Sequence, residues 1–109
     1  MRTYWLSFTD RDRPRGQQFL GVVVVDVSEA DRAEALATWN QTHDQPMGDR
    51  IDGPWIAAAM RACWRAGVNP GGAVASWRLD DHPDFASYSA RYPRLQLLSR
   101  AEIAALEPL

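Results

Sequence analysis

Chemistry in this 109-residue chain would rest on a short set of side chains. The stretch DDHPD places His82 beside Asp80, Asp81 and Asp84. Imidazole and carboxylate are ligands for divalent cations, so a metal-assisted enzyme around His82 and Asp80 is one reading. Four polar residues in a single turn do not all reach one ion, however, and the other histidine, His43 beside Asp44, stands far away in the chain. A solvated acidic turn is the expectation here, with no metal site and no cofactor. Nucleophilic catalysis needs a nucleophile next to a base. Cys63 falls on the apolar face of a helical stretch and reads as core, while Ser7, Ser76 and Ser87 stand in no motif. No residue is assigned a catalytic role, and the chain is not expected to be an enzyme.

Glycine is the next possible source of chemistry. GVNPGGAVASW, residues 67 to 77, carries three glycines. A phosphate cradle needs backbone N–H groups converging at the start of a helix. This stretch follows a helix and opens a strand, the opposite polarity, and neither common nucleotide-binding glycine pattern occurs. Gly67 is expected to cap the helix and NPGG to turn the chain.

Arginine and tryptophan point to binding rather than catalysis. DRDRPRG, residues 10 to 16, places Arg11, Arg13 and Arg15 at alternate positions. In an extended tip these three guanidiniums would share a side and contact phosphates or an acidic partner. Asp10 and Asp12 interleave and partly neutralise them. The chain also holds five tryptophans, more than a core of this size absorbs. Trp64 lies close to Arg61 and Arg65 on a helical stretch, and exposed Trp with Arg is the composition of interface hot spots.

The surrounding elements follow from periodicity. TYWLSFT alternates, with Tyr4, Leu6 and Phe8 on one face and Trp5 on the other. FLGVVVVDV is a second strand whose consecutive valines imply burial on both faces and a central place in the sheet. The two form a hairpin with a long tip. Ser28 with Asp31 opens a first helix to about His43, on which Ala30, Ala33 and Ala37 form a small-residue stripe for close packing on the sheet. DQPMGDRIDG is a loop. A second helix starts near Pro54, with Ile56, Ala59, Met60 and Cys63 on one face and Gly67 at its end. AVASWRL is a third strand, DDHPDFASYSARYP a turn-rich segment and RLQLL a short fourth strand at an edge. Ser99 and Glu102 open a last helix to about Leu106 as a capping box. The order β-β-α-α-β-(β)-α gives a single α+β domain over residues 1–109. It has a small antiparallel or mixed sheet of three to four strands, with two main helices packed on one face.

Composition bounds the rest. An apolar fraction of 46% with 24% charged residues is ordinary for a globular domain. The net charge of −2 gives no general pull toward nucleic acid. All twelve basic residues are arginine, which with sixteen alanines points to a GC-rich genome. One cysteine permits no internal disulfide, MRTYWLSFTD has no signal-peptide pattern, and no window is long and apolar enough to span a membrane. A cytoplasmic protein is expected.

Tyr4 to Phe8, Phe19 to Val22, Asn69 to Val74 and the tail Ser99-Arg100-Ala101-Glu102 carry a resemblance. This YWLSF, FLGV, NPGGxV pattern resembles a group of short uncharacterised proteins of GC-rich bacteria and their phages and mobile elements, with DQPMGDRIDG as extra length. The resemblance carries over no activity and no catalytic residue. It implies a mobile-element setting, in which small proteins often bind a host protein. With excess tryptophan, no motif for chemistry and ordinary charge, the expected function is non-catalytic protein binding, in concrete form inhibition of a host enzyme or defence complex. The contact residues are Arg61, Trp64 and Arg65, then Arg11, Arg13 and Arg15. Self-association as a homodimer is a second form of such contact. Nucleic-acid binding through residues 10–16 is the alternative.

Overall fold

The computed structural model describes residues 1–44 and 52–107. Most of the DQPMGDRIDG loop expected from the sequence lies outside them. Strand β1 (Arg2–Thr9) and strand β2 (Phe19–Val27) form the expected antiparallel hairpin. Helices α1 (Glu29–Thr42) and α2 (Gly53–Arg65) follow. Strand β3 (Ala73–Arg78) then returns to the sheet. A short 3₁₀ turn (Leu79–Asp81) and helices α3 (Phe85–Arg91) and α4 (Arg100–Leu106) complete the chain. The fold is α+β, with a three-stranded antiparallel sheet in the order β2-β1-β3.

The alternation in β1 divides the core in two. Tyr4, Leu6 and Phe8 pack with Val23, Val25 and Val27 beneath α2, which contributes Trp55, Ala58, Ala59 and Cys63. On the opposite face, Val22 and Val24 pack with Tyr92 and Leu98, and Trp5, Tyr88, Ile103 and Leu106 close around them. The two main helices lie on one side as expected. The short C-terminal helices cover the other. Each fully buried aliphatic side chain contributes roughly 1.5–3 kcal/mol, so both halves matter to a chain of this size.

Three expectations are corrected. First, β2 is not central; β1 is. The valines of β2 are buried on both faces because there is a core on each side, and its outer edge is covered by residues 94–98. The Leu98 N–H donates to the Val22 carbonyl (2.8 Å), the Val22 N–H donates to the Leu98 carbonyl (3.0 Å), and the Leu95 N–H donates to the Val24 carbonyl (2.9 Å). Second, that segment is not a fourth strand. It meets β2 at two isolated bridges of opposite sense, parallel at Arg94 and antiparallel at Leu98, with Leu95 at positive φ turning the chain between them. A chain that reverses within four residues cannot extend a ladder. The turn-rich stretch before it also contains helix α3.

Third, the stripe of Ala30, Ala33 and Ala37 faces solvent. Helix α1 lies against α2 and buries Ala35, with Arg32, Leu36 and Trp39 half-buried. The spacing 32, 35, 36, 39 is one helical face, and the large side chains Leu36 and Trp39 select it over a row of methyl groups.

Local signals at the helix ends hold. Ser28 with Asp31 and Ser99 with Glu102 both form capping boxes. After α2 the Gly67 N–H donates to the Trp64 carbonyl (3.1 Å) and the Val68 N–H to the Cys63 carbonyl (3.0 Å). This paired ending requires a left-handed residue, and Gly67 supplies it at φ 70°.

Candidate functional site

Helix α2 sets the geometry of the candidate contact residues. Its inner face is fixed by Trp55, Ala59 and Cys63, so Trp64, the next residue, is forced outward. Trp64 is 78% exposed, the same as the chain's first residue and above every other large apolar side chain among the described residues. Arg61 and Arg65 lie together to one side of it on the helix surface. Both donate to the same oxygen, Glu34 Oε1 on α1, at 3.1 Å each. Arg65, then Arg61, holds the Glu34 carboxyl below its ordinary value. The arginines are therefore not loose. One carboxylate clamps two guanidiniums and leaves a net positive charge beside the indole. Asp31, Glu34, Arg61 and Arg65 rim a groove of 340 Å³ whose floor includes Ala58 and Ala62.

The arginine tip is different from its expectation. The Arg13 N–H donates to the Asp10 carbonyl (3.3 Å) and the Gln17 N–H to the Pro14 carbonyl (3.0 Å), so the tip is two successive turns. The alternate-residue alignment of Arg11, Arg13 and Arg15 assumed an extended backbone and has no basis in this conformation. Arg13 also pairs with Asp10 (3.3 Å), while Arg11 and Arg15 are exposed.

The acidic turn is structural. Asp80 Oδ2 accepts from Arg78 (2.7 Å), and Asp80 Oδ1 accepts from the Thr3 N–H (3.2 Å), standing in where the β1–β3 ladder has ended. Burial opposes ionisation of Asp80, but Arg78 and the Thr3 N–H outweigh it and hold the carboxyl below its ordinary value. Asp81 lies 3.5 Å from Arg78. His82 Nδ1 accepts from the Asp84 N–H (3.0 Å), and the ring meets Tyr88 edge-on. His43 stacks on Trp39. Among the described residues no three His, Cys, Asp or Glu side chains converge as a metal site requires. Cys63 is fully buried, and burial pushes its thiol up to about 11, where it is no nucleophile at neutral pH.

One surface escaped the sequence reading. Trp77 on β3 pairs across from Trp5 on β1 and is 56% exposed. Together with Leu79 and Pro83 the two indoles line a shallow groove of 530 Å³. Alternation alone gave Trp77 no direction, because AVASW has small residues on both faces. Only the position of β3 at the sheet edge exposes it. Among the described helices none is long and apolar enough to cross a membrane.

No family model, curated protein or solved structure matches this chain. Its function must be read from its own surfaces.

Proposed function

We propose that this chain is a non-catalytic protein-binding module that acts by stoichiometric contact through the outer face of α2. The observation that carries this is Trp64, left 78% exposed beside two arginines held on one carboxylate. An indole on a rigid helix offers a large contact area at low cost in conformational entropy. Arginines already fixed on Glu34 lose less freedom on binding than free ones. The partner surface that fits is an apolar pocket for Trp64 with acidic groups at its rim for Arg65 and Arg61. A host enzyme or defence complex, the partner class expected from the sequence, would be blocked by occupancy.

The test is affinity capture from the cells that produce the chain, using wild type, Trp64→Ala and Arg65→Glu. All three should fold alike, since both side chains lie largely in solvent. A hot-spot residue costs 2 kcal/mol or more on truncation, so Trp64→Ala should weaken binding by roughly 30-fold or more. Stoichiometric capture of the same protein by wild type and Trp64→Ala at equal affinity would refute the proposal.

A further inference from the structure

The two edges of the sheet are treated differently. The outer edge of β2 is covered by this chain's own residues 94–98, with backbone hydrogen bonds from Leu95 and Leu98. Among the described residues nothing pairs with the outer edge of β3. An open edge is ordinarily guarded by charge, proline or a bulge. Residues 73–77, AVASW, contain no charge and no proline, and the β1–β3 register runs without interruption. Val74 is 37% exposed and Trp77 more so.

We infer that β3 pairs antiparallel with β3 of a second copy, joining two three-stranded sheets into one. Three observations select a copy of this chain as the occupant. The first is shape. A two-fold axis normal to the sheet keeps each face in place, so odd-numbered residues meet odd-numbered residues. With the axis through Ala75 or Ser76, at the middle of the strand, Trp77 of one copy faces Ala73 or Ala75 of the other. The strand thus carries both the large side chain and the small ones that make room for it. The second is charge. Arg78, the strand's one charged residue, lies at its end, so the two copies place their arginines at opposite ends of the paired stretch. Each Arg78 is already held by its own Asp80 at 2.7 Å. Pairing brings no like charges together and strips no unpaired ion of water. The third is continuity. Trp77 borders the groove lined by Trp5, Leu79 and Pro83, so a strand added at this edge covers exposed apolar surface as well as open backbone groups.

The interface is small. Contacts burying less than about 1,200 Å² are the weak, transient class, and a six-residue pairing belongs there. The dimer should therefore form as concentration rises. It is separate from the α2 face, so either proposal can fail alone.

Sedimentation equilibrium from about 10 to about 500 µM covers the range in which so small an interface populates a dimer. The wild-type mass should climb from 12.3 kDa toward twice that value. Ala75→Lys puts like charges beside the axis and should weaken association by up to about fivefold. Trp77→Ser should weaken it too, while Trp64→Ala leaves it unchanged. Circular dichroism checks that each variant folds. Amide resonances of residues 73–78 should shift with concentration in the wild type. A mass that stays at 12.3 kDa throughout overturns the inference, as does association that survives Ala75→Lys intact.

Discussion

Gly71 and Gly72 are adjacent, both left-handed, and differ in what a methyl group would meet. Gly71 has φ 84° with nothing within 4 Å of the added Cβ. Gly72 has φ 73°, and its Cβ would sit 2.3 Å from the Thr9 carbonyl oxygen. That oxygen cannot step aside cheaply. Thr9 pairs with Phe19 on one side and Ala73 on the other, so moving it pulls on both ladders of the sheet. Gly71→Ala should cost only the left-handed penalty, about 1–2 kcal/mol. Gly72→Ala carries the same penalty plus overpacking of about 1–3 kcal/mol, giving roughly 2–5 kcal/mol. At roughly 4 °C per kcal/mol for a domain of this size, the melting temperature should fall by about 4–8 °C for Gly71→Ala and about 8–20 °C for Gly72→Ala. Urea unfolding with an unchanged m-value would show that both change stability without changing the surface exposed on unfolding. Equal costs at the two positions would refute the reasoning, because the backbone clash at Thr9 is what separates them. Lost binding with an unchanged melting temperature would do so as well, and would return the loop to consideration as a ligand cradle.

Cys63 gives a pH prediction with a definite sign. Its folded value of about 11 lies above the ordinary thiol value, so the unfolded chain releases the proton first. Stability from this group is complete below about pH 8.5 and declines as pH rises toward 11, by roughly 2–3 kcal/mol in all. Cys63→Ala should remove that alkaline slope, and the native thiol should resist alkylating reagents at pH 8. Arg94 gives a second prediction. It donates to Asp26 (2.9 Å), the Tyr92 carbonyl (2.7 Å) and Ser89 Oγ (2.7 Å), fastening the C-terminal segment to β2. Arg94→Ala should cost about 1–3 kcal/mol and speed hydrogen exchange at Leu95 and Leu98 ahead of the rest of the sheet.

What could be read from the sequence was what is decided locally. Ser28, Ser99 and Gly67 each satisfy backbone groups within a few residues, and all three cap helices as their types demand. The alternation of Tyr4, Leu6 and Phe8 is likewise a property of one strand. The misjudged features depend on what lies across the fold. Four buried valines say that both faces of β2 are covered, but not which strand sits beside it. A row of alanines is small on any face, and the larger residues Leu36 and Trp39 turned α1 the other way. In the arginine tip the alternating Arg and Asp suggest an extended run, but Pro14 and Gly16, with the hydrogen bonds to the Asp10 and Pro14 carbonyls, make two turns.

The candidate sites divide along the same line. Trp64 could be found because Ala59 and Cys63 mark the inner face of α2, so its outward direction follows from helical spacing, whereas Trp55, at the edge of that face by spacing, is buried. Trp77 could not, because a strand with small residues on both sides states no preference, and its exposure is settled by β3 falling at the end of the order β2-β1-β3. Among the described residues the same placement leaves the outer edge of β3 open while residues 94–98 close β2. An edge whose only charge, Arg78, stands at the strand's end, and whose residues 73–77 carry tryptophan and alanines, has a composition suited to being covered. The contrast between the two edges therefore ties the hidden feature, Trp77, to a physical role that no single segment of the sequence expresses.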